Sequence, residues 1–409
     1  MAVGETRFPE MPEIEGLRLG ATMAGIKKPG RRDLVVIEIT EGARVAGAFT
    51  RNAFCAAPVT VAREHLSACT ARGEAPRYLV VNTGNANAGT GEAGLHDARA
   101  TCAELGGLVG VGAERVLPFS TGVIGEPLPM DRLLAGLPGA VQALDDGSHA
   151  WQAAGEGILT TDTRAKGASV TLALGDETVT INGIAKGSGM IRPDMATMLA
   201  FVATDAAIEP SLLDQLLREA VERSFNCITV DSDTSTNDAC MLIATGRGVS
   251  VVDGEALTRF REGLLQVMTE LAQAVIRDGE GATKFVTLQV DRARSRREAL
   301  DVAFTVAHSP LVKTALYASD ANWGRILAAV GRAPVEDFDV NRVTIDLGEV
   351  RLVENGGRAS GYTEEAGSAV MAREEIDIRI ALGRGEQGAT VWTSDLSHEY
   401  VTINADYRS

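Results

Sequence analysis

The chain has 409 residues, 45% hydrophobic and 23% charged, a globular balance with room for roughly two or three domain-sized units. Its 39 Lys and Arg against 55 Asp and Glu give a formal net charge of -16, which repels a phosphate backbone and argues against nucleic acid as a partner. The five cysteines (Cys55, Cys69, Cys102, Cys227, Cys240) include no CxxC pair, the first residues lack a signal peptide's apolar stretch, and no run approaches the roughly eighteen apolar residues of a membrane span, so the expectation is a reduced, cytoplasmic protein without a membrane partner.

Short β-rich runs bounded by Gly, Asp or Asn predict strands at 34–40, 78–82, 168–174 and 179–184. Leu95, Ala98, Cys102 and Leu105 recur every three or four residues and predict a helix over 92–105, with Gly106-Gly107 as its stop. Helices are expected over 211–223 and 255–277, the second with Leu264, Val267, Met268, Leu271 and Val275 as one stripe. Strands return at 284–290, 301–306, 343–353, 375–382 and 389–393. Without a regular βαβ alternation the blocks predict an α+β fold, helices packed on the faces of a sheet. Arg292, Arg294, Arg296 and Arg297 form a basic cluster without interleaved aromatics and read as a solvated face.

The segment 185–205, AKGSGMIRPDMATMLAFVATD, sets a lysine, small residues and a proline before an apolar run. As composition alone it is a glycine-rich turn before a buried strand. Thr197 adds a second reading. A threonine hydroxyl is a weak nucleophile without a base; a cut before Thr197 would free an α-amine, ordinarily titrating near 7.7–8.0, beside that hydroxyl. STGVIG at 120–125 reads as strand-to-turn punctuation, Lys186 and Glu280 as solvated charges or, with small neighbours in AKGSG and DGEGATK, as a pair for a zwitterion. Asp231, Asp233 and Asp238 in DSDTSTND admit a hard-cation loop, but capping and turn hydrogen bonds are the simpler reading. GNANAGTG at 84–91 lacks the GKS/T ending of a phosphate loop, and no histidine sits where it would serve a serine triad.

KGSGMIRPDMATMLAFVATDA resembles the self-cleavage region of the ornithine acetyltransferase family, also called bifunctional glutamate N-acetyltransferase. The resemblance runs nearly end to end through GAFTRNAFCAAPV (47–59), VNTGNANAGTG (81–91), STGVIGEPLP (120–129), TTDT (160–163), FNCITVDSDTSTND (225–238), DGEGATK (278–284), SDANWGRILAAVGR (319–332) and YVTINADYRS (400–409). It implies a layered, N-terminal-nucleophile-like fold cut between Ala196 and Thr197 into intertwined fragments 1–196 and 197–409, two copies of each assembling. It further implies Thr197 as nucleophile, Thr121 and Gly122 as oxyanion hole, and Thr160, Lys186, Thr197, Glu280, Asn404 and Ser409 as substrate contacts, with Thr161 an alternative to Thr160. The implied activity moves acetyl from N2-acetyl-L-ornithine to L-glutamate in the cyclic arginine pathway, without metal or prosthetic group, with acetyl-CoA as a further candidate donor. An N-terminal-nucleophile hydrolase and a non-catalytic metabolite-binding protein are the alternatives.

Overall fold

A computed structural model describes residues 2–4, 7–27, 29–192 and 198–406. In chain order its first half holds β1 (Leu17–Thr22), β2 (Leu34–Ile39), β3 (Arg44–Phe49), α1 (Ala57–Ala71), β4 (Tyr78–Asn85), α2 (Gly91–Val109), β5 (Val116–Val123), α3 (Met130–Gln142), α4 (Ser148–Gly157), β6 (Lys166–Leu174) and β7 (Glu177–Lys186). There follow β8 (Leu199–Thr204), α5 (Pro210–Arg223), β9 (Ile228–Thr229), β10 (Ala239–Ala244), α6 (Gly254–Arg277), β11 (Phe285–Ala293), α7 (Arg296–Ala307), α8 (Pro310–Tyr317) and α9 (Trp323–Gly331). The last elements are β12 (Thr344–Leu347), β13 (Val350–Glu354), β14 (Gly357–Arg358), α10 (Glu364–Met371), β15 (Glu375–Ala381), β16 (Gln387–Ser394) and α11 (His398–Ala405).

The strands make three sheets, in the orders β1-β2-β4-β5, β3-β10-β8-β7-β6 and β14-β13-β12-β15-β11-β16-β9. The first two stack face to face. In β2, side chains alternate with the strand period of two: Val35, Ile37 and Ile39 join a core shared with Leu199, Phe201, Met241 and Ile243 of the second sheet, while Leu34 and Val36 join Cys102, Leu105, Leu133 and Leu137 of α2 and α3. Phe119 and Phe201 meet edge to face across the inter-sheet layer, centroids 5.2 Å apart. The outer face of the second sheet is covered by α5 and α6 through Leu213, Leu217, Leu264, Val267 and Leu271. The result is four layers, helix, sheet, sheet, helix, so the α+β expectation holds and its layering is explicit. The third sheet packs against α7, α8 and α9 around its own core of Leu288, Val302, Val306, Ile345 and Ile378.

Three sequence expectations change. The run 301–306 is part of α7, because Ser295 caps it by accepting from the Glu298 N–H at 3.1 Å and Ala299, Val302, Ala303 and Val306 fall on one buried face. The span 343–353 is a hairpin of β12 and β13 that turns at Gly348, whose φ is +53°. Helix α2 runs through Gly106-Gly107 to Val109 and stops at Gly110, φ +75°. Gly106 is required there for another reason: a Cβ on it would lie 2.7 Å from the Val111 carbonyl oxygen. Of the basic cluster, Arg292, Arg294 and Arg297 are exposed, while half-buried Arg296 donates to the Glu222 carbonyl at 2.8 Å.

Candidate functional site

The ends of the two stacked sheets open into a cleft of about 250 Å³ lined by Thr121, Gly122, Thr160, Thr161, Lys186 and Glu280, with Asn404 from α11 and the 235–238 segment completing the wall. Thr121, Gly122, Thr160, Lys186, Glu280 and Asn404 come from five separate parts of the chain and meet here. Ala196, Thr197 and Ser409 lie outside the described residues.

Thr121 and Gly122 close β5, which runs parallel to β4, and the register slips at Gly84 and Asn85, a bulge that re-aims the strand ends. Gly122 has φ +135°, and a Cβ on it would fall 2.3 Å from the Gly84 carbonyl carbon. This position therefore excludes a side chain on two grounds, conformation and a neighbouring backbone. Buried amides brace the bulge. Asn82 donates to the Asn85 carbonyl at 2.9 Å, Asn85 to the Pro127 carbonyl at 2.9 Å, and Asn237 to the Ala86 and Ser120 carbonyls at 2.5 and 2.9 Å. GNANAGTG is thus a scaffold for the cleft wall, with Asn87 donating to the Gly94 carbonyl at 2.9 Å inside α2.

Lys186, the last residue of β7, is half-buried, and burial pulls its pKa down against the opposing pull of Asp162 and Asp238. Its ammonium lies 3.5 Å from the Thr160 hydroxyl. Thr160 and Thr161 are both at the cleft, on different partners: Thr161 hydrogen-bonds Glu280. Glu280 is buried, and that burial raises its pKa against hydrogen bonds from Thr161 and from Asn404 Nδ2 at 2.8 Å. Gly189 makes room for this carboxyl, since a Cβ there would sit 2.3 Å from Glu280 Oε2.

Beneath the cleft is a triad that sequence reasoning missed. Lys166 Nζ donates to Asp162 Oδ1 and Asp278 Oδ2, both at 2.6 Å, with all three side chains at 1% exposure or less. Burial works against ionised Asp162, but Lys166 and Lys186 outweigh it and hold its pKa well below the carboxylate range. Asp162 also accepts from the N–H groups of Gly187 at 2.8 Å and Thr160 at 3.0 Å, so the triad fixes the loop bearing Thr160 against the turn after Lys186. The only hint in the sequence was TTDT and DGEG within one resemblance; nothing local joined Asp162 to Asp278. Asp231 makes one local turn bond, from the Asp233 N–H at 3.3 Å, and otherwise ties down a distant segment, accepting from the N–H groups of Met190 at 2.6 Å and Ile191 at 2.9 Å. Among the described residues no group of three His, Cys, Asp or Glu side chains is arranged to hold a metal.

A second cavity, about 210 Å³, shares Gly122, Val123, Thr160 and Thr161 with the first and is lined by Lys27, Arg31, Asp33 and Asp406. Lys27 and Arg31 belong to a basic run, KKPGRR at 27–32, as dense as the one at 292–297 and unremarked in the sequence reading. Buried Asp33 pins the turn before it, accepting from the Ala24 and Ile26 N–H groups at 2.6 Å each, and Arg31 donates to the Thr160 carbonyl at 3.0 Å.

Four layers with a polar cleft at the sheet ends define a layered α+β protein with a candidate small-molecule site, and similarity assigns it further. Residues 18–409 match the ArgJ family. The chain is similar to the arginine biosynthesis bifunctional proteins ArgJ of Pseudomonas fluorescens, 53% identical over all of both chains, and of Methylococcus capsulatus, 56% identical over 97% of this chain and 96% of the relative. Among solved structures, the arginine biosynthesis bifunctional protein argJ from Bacillus halodurans is 36% identical at a TM-score of 0.49, covering 51% of this chain and 98% of that one. Ornithine acetyltransferase from Mycobacterium tuberculosis, complexed with ornithine, is 34% identical at a TM-score of 0.39, covering 45% of this chain and 96% of that one. The chain belongs to the ArgJ family. It is an N-acetyltransferase of arginine biosynthesis. No helix among the described residues is long and apolar enough to cross a membrane.

Proposed function

We propose that the enzyme transfers acetyl from N2-acetyl-L-ornithine to L-glutamate through an acetyl ester on Thr197, after self-cleavage between Ala196 and Thr197. The observation that carries this reading is the convergence of Thr121, Gly122, Thr160, Lys186, Glu280 and Asn404 on one cleft. Met198, next after Thr197 in the chain, is buried, and its carbonyl accepts from the Ala239 N–H at 3.0 Å, one residue from the cleft wall at Asp238. The Thr197 α-amine takes the hydroxyl proton as oxygen attacks the acetyl carbon. The Thr121 hydroxyl and Gly122 N–H receive the developing oxyanion, a donor of this kind contributing about 2.7–4 kcal/mol. The same α-amine returns the proton to the departing nitrogen, and glutamate then takes the acetyl group from the ester. No metal or prosthetic group enters this cycle. Lys186 is assigned to a substrate carboxylate, Glu280 to a substrate ammonium, and Asn404 and Ser409 to the amino-acid portion.

Sheet composition supports survival of the cut. In the second sheet β3, β6 and β7 precede position 196 while β8 and β10 follow it, and β8 lies hydrogen-bonded between β7 and β10. Fragments 1–196 and 197–409 therefore share one sheet and one core, and two copies of each are proposed to assemble in the cytoplasm. The test is a denaturing gel with N-terminal sequencing. The expected result is two fragments, the second beginning TMLAF, both absent in Thr197→Ala together with all transfer. A wild-type chain that stays intact while fully active refutes the mechanism. Release of mainly free acetate at saturating glutamate makes the enzyme a hydrolase.

The second cavity favours one additional donor. Lys27 and Arg31 stand at its rim and its inner wall is Gly122, an arrangement suited to a phosphate-bearing thioester such as acetyl-CoA. Glutamate acetylation with acetyl-CoA as sole donor measures this directly.

A further inference from the structure

Asp238 has no role in the cycle above, yet its side chain is buried, it lines the cleft, and its Oδ2 has no hydrogen-bond partner among the described residues. A buried, unpaired carboxyl oxygen costs free energy unless something arrives to use it. The rest of the residue is firmly held. Its other hydrogen bonds come from the side chain and backbone of Ser235, its carbonyl accepts from the Thr50 N–H at 3.0 Å, and Asn237 beside it grips the Ser120 carbonyl just before Thr121. Oδ2 therefore has a fixed position relative to the proposed oxyanion donors.

We propose that Asp238 is a catalytic proton store that protonates the departing substrate amine and deprotonates the arriving one. The inference rests on the proposed transfer reaction. That reaction leaves one proton unaccounted for: both amino acids exist in water as ammonium ions, but only a neutral amine leaves the tetrahedral intermediate or attacks the ester. In the first half, the donor's C–N bond breaks, the acetyl–oxygen bond forms, and the hydroxyl proton passes through the Thr197 α-amine to the leaving nitrogen. Asp238, as the carboxylic acid, gives that neutral amine a further proton, and ornithine departs as the ammonium. In the second half the incoming glutamate ammonium gives a proton back to the Asp238 carboxylate, and the freed amine attacks. The proton is conserved over the cycle.

The surroundings suit both protonation states. Burial raises the Asp238 pKa well above its ordinary value, against Ser235 and Lys186, which favours the acid form. Lys186 provides a cation for the carboxylate between the two halves, and Asp162, Glu280 and Lys166 are the other charges acting at Lys186.

The test compares two acceptors of the acetyl group, glutamate and hydroxylamine; the second is uncharged at neutral pH and has no proton to shed before attack. For Asp238→Asn the expected result is a glutamate-to-hydroxylamine rate ratio lower by about 10²-fold, the scale of general acid–base catalysis, with the glutamate rate recovering as pH rises and solution supplies neutral amine. Ser235→Ala, which weakens the hold on Asp238, should lower the same ratio several-fold if Asp238→Asn fails to fold or cleave. Equal loss with both acceptors, or an unchanged ratio in cleaved, folded variants, overturns the proposal. Failure of the transfer reading itself shows separately, in wild type, as an intact chain or as acetate release.

Discussion

Strand β15 of the third sheet alternates strictly, with Ile376, Ile378 and Ile380 buried and Glu375, Asp377 and Arg379 exposed, whereas β8 of the second sheet is buried at every position from Leu199 to Thr204. The difference is one of cover. β15 has helices on one face and an exposed face opposite, while β8 lies between another sheet and a helix layer, so polar groups there are displaced to the strand ends and lose water. Those ends hold Asp162, Lys166, Lys186, Asp238, Asp278 and Glu280. The third sheet also buries charges, but spends them on backbone: Lys284 donates to the Met371 and Arg373 carbonyls at 3.0 and 2.8 Å, and Asp395 accepts from the Thr283 and Lys284 N–H groups at 2.8 and 2.9 Å. Lys186, Asp238 and Glu280 face an open cleft and belong to chemistry; the closed Lys166 triad beneath it, like Lys284 and Asp395, belongs to the scaffold.

The contrast breaks most visibly at Lys166. Lys166→Met leaves Asp162 and Asp278 facing each other out of water without their shared cation, and the expected cost is about 3–5 kcal/mol in urea unfolding, with acetyl transfer lost as the Thr160 loop and the Lys186 turn separate. Full stability and activity in that variant would mean the triad is dispensable. Thr121→Ala probes the cleft alone: kcat should drop about 10²–10³-fold with KM little changed, at near wild-type stability. A raised KM at constant kcat would instead make Thr121 a ground-state contact.

His308, at the end of α7, sharpens the comparison from the scaffold side. Its ring is 3.0 Å from the Thr229 hydroxyl, and burial, with Arg192, Lys313 and Arg332 nearby, lowers its pKa from 6.5 to about 4. The folded state thus resists a proton that the unfolded chain accepts, and stability falls as pH drops from 6.5 toward 4. His308→Gln should flatten that part of the stability curve without altering transfer at neutral pH, measured by thermal melts across pH 4–7. The smallest effect belongs to the exposed face of β15: Arg379→Ala removes a 2.6 Å pair with Asp291, 62% and 31% exposed, and should cost under about 1 kcal/mol. A larger loss would mean that this face is covered in the assembled enzyme.

Periodicity read correctly wherever one face meets water. The stripe Leu264, Val267, Met268, Leu271 and Val275 is buried as expected, and α5 and β15 lie where their patterns put them. It failed at 301–306, where Val302, Ala303, Phe304 and Val306 look β-rich until the Ser295–Glu298 cap upstream is included. The grouping of Thr121, Gly122, Thr160, Lys186, Glu280 and Asn404 came from resemblance to a family, and the fold brings those six together without any local signal linking them. Sequence by itself determined the amphipathic helices, the half-exposed strands and the glycine at position 122, because those follow from spacing and backbone freedom. Tertiary structure alone decided which charges are desolvated. Lys166 and Arg379 are both cations on β-strands, but Lys166 lies on the face of its sheet that α6 covers, where Asp278 follows the helix and the triad is shut from solvent, while Arg379 stays in water.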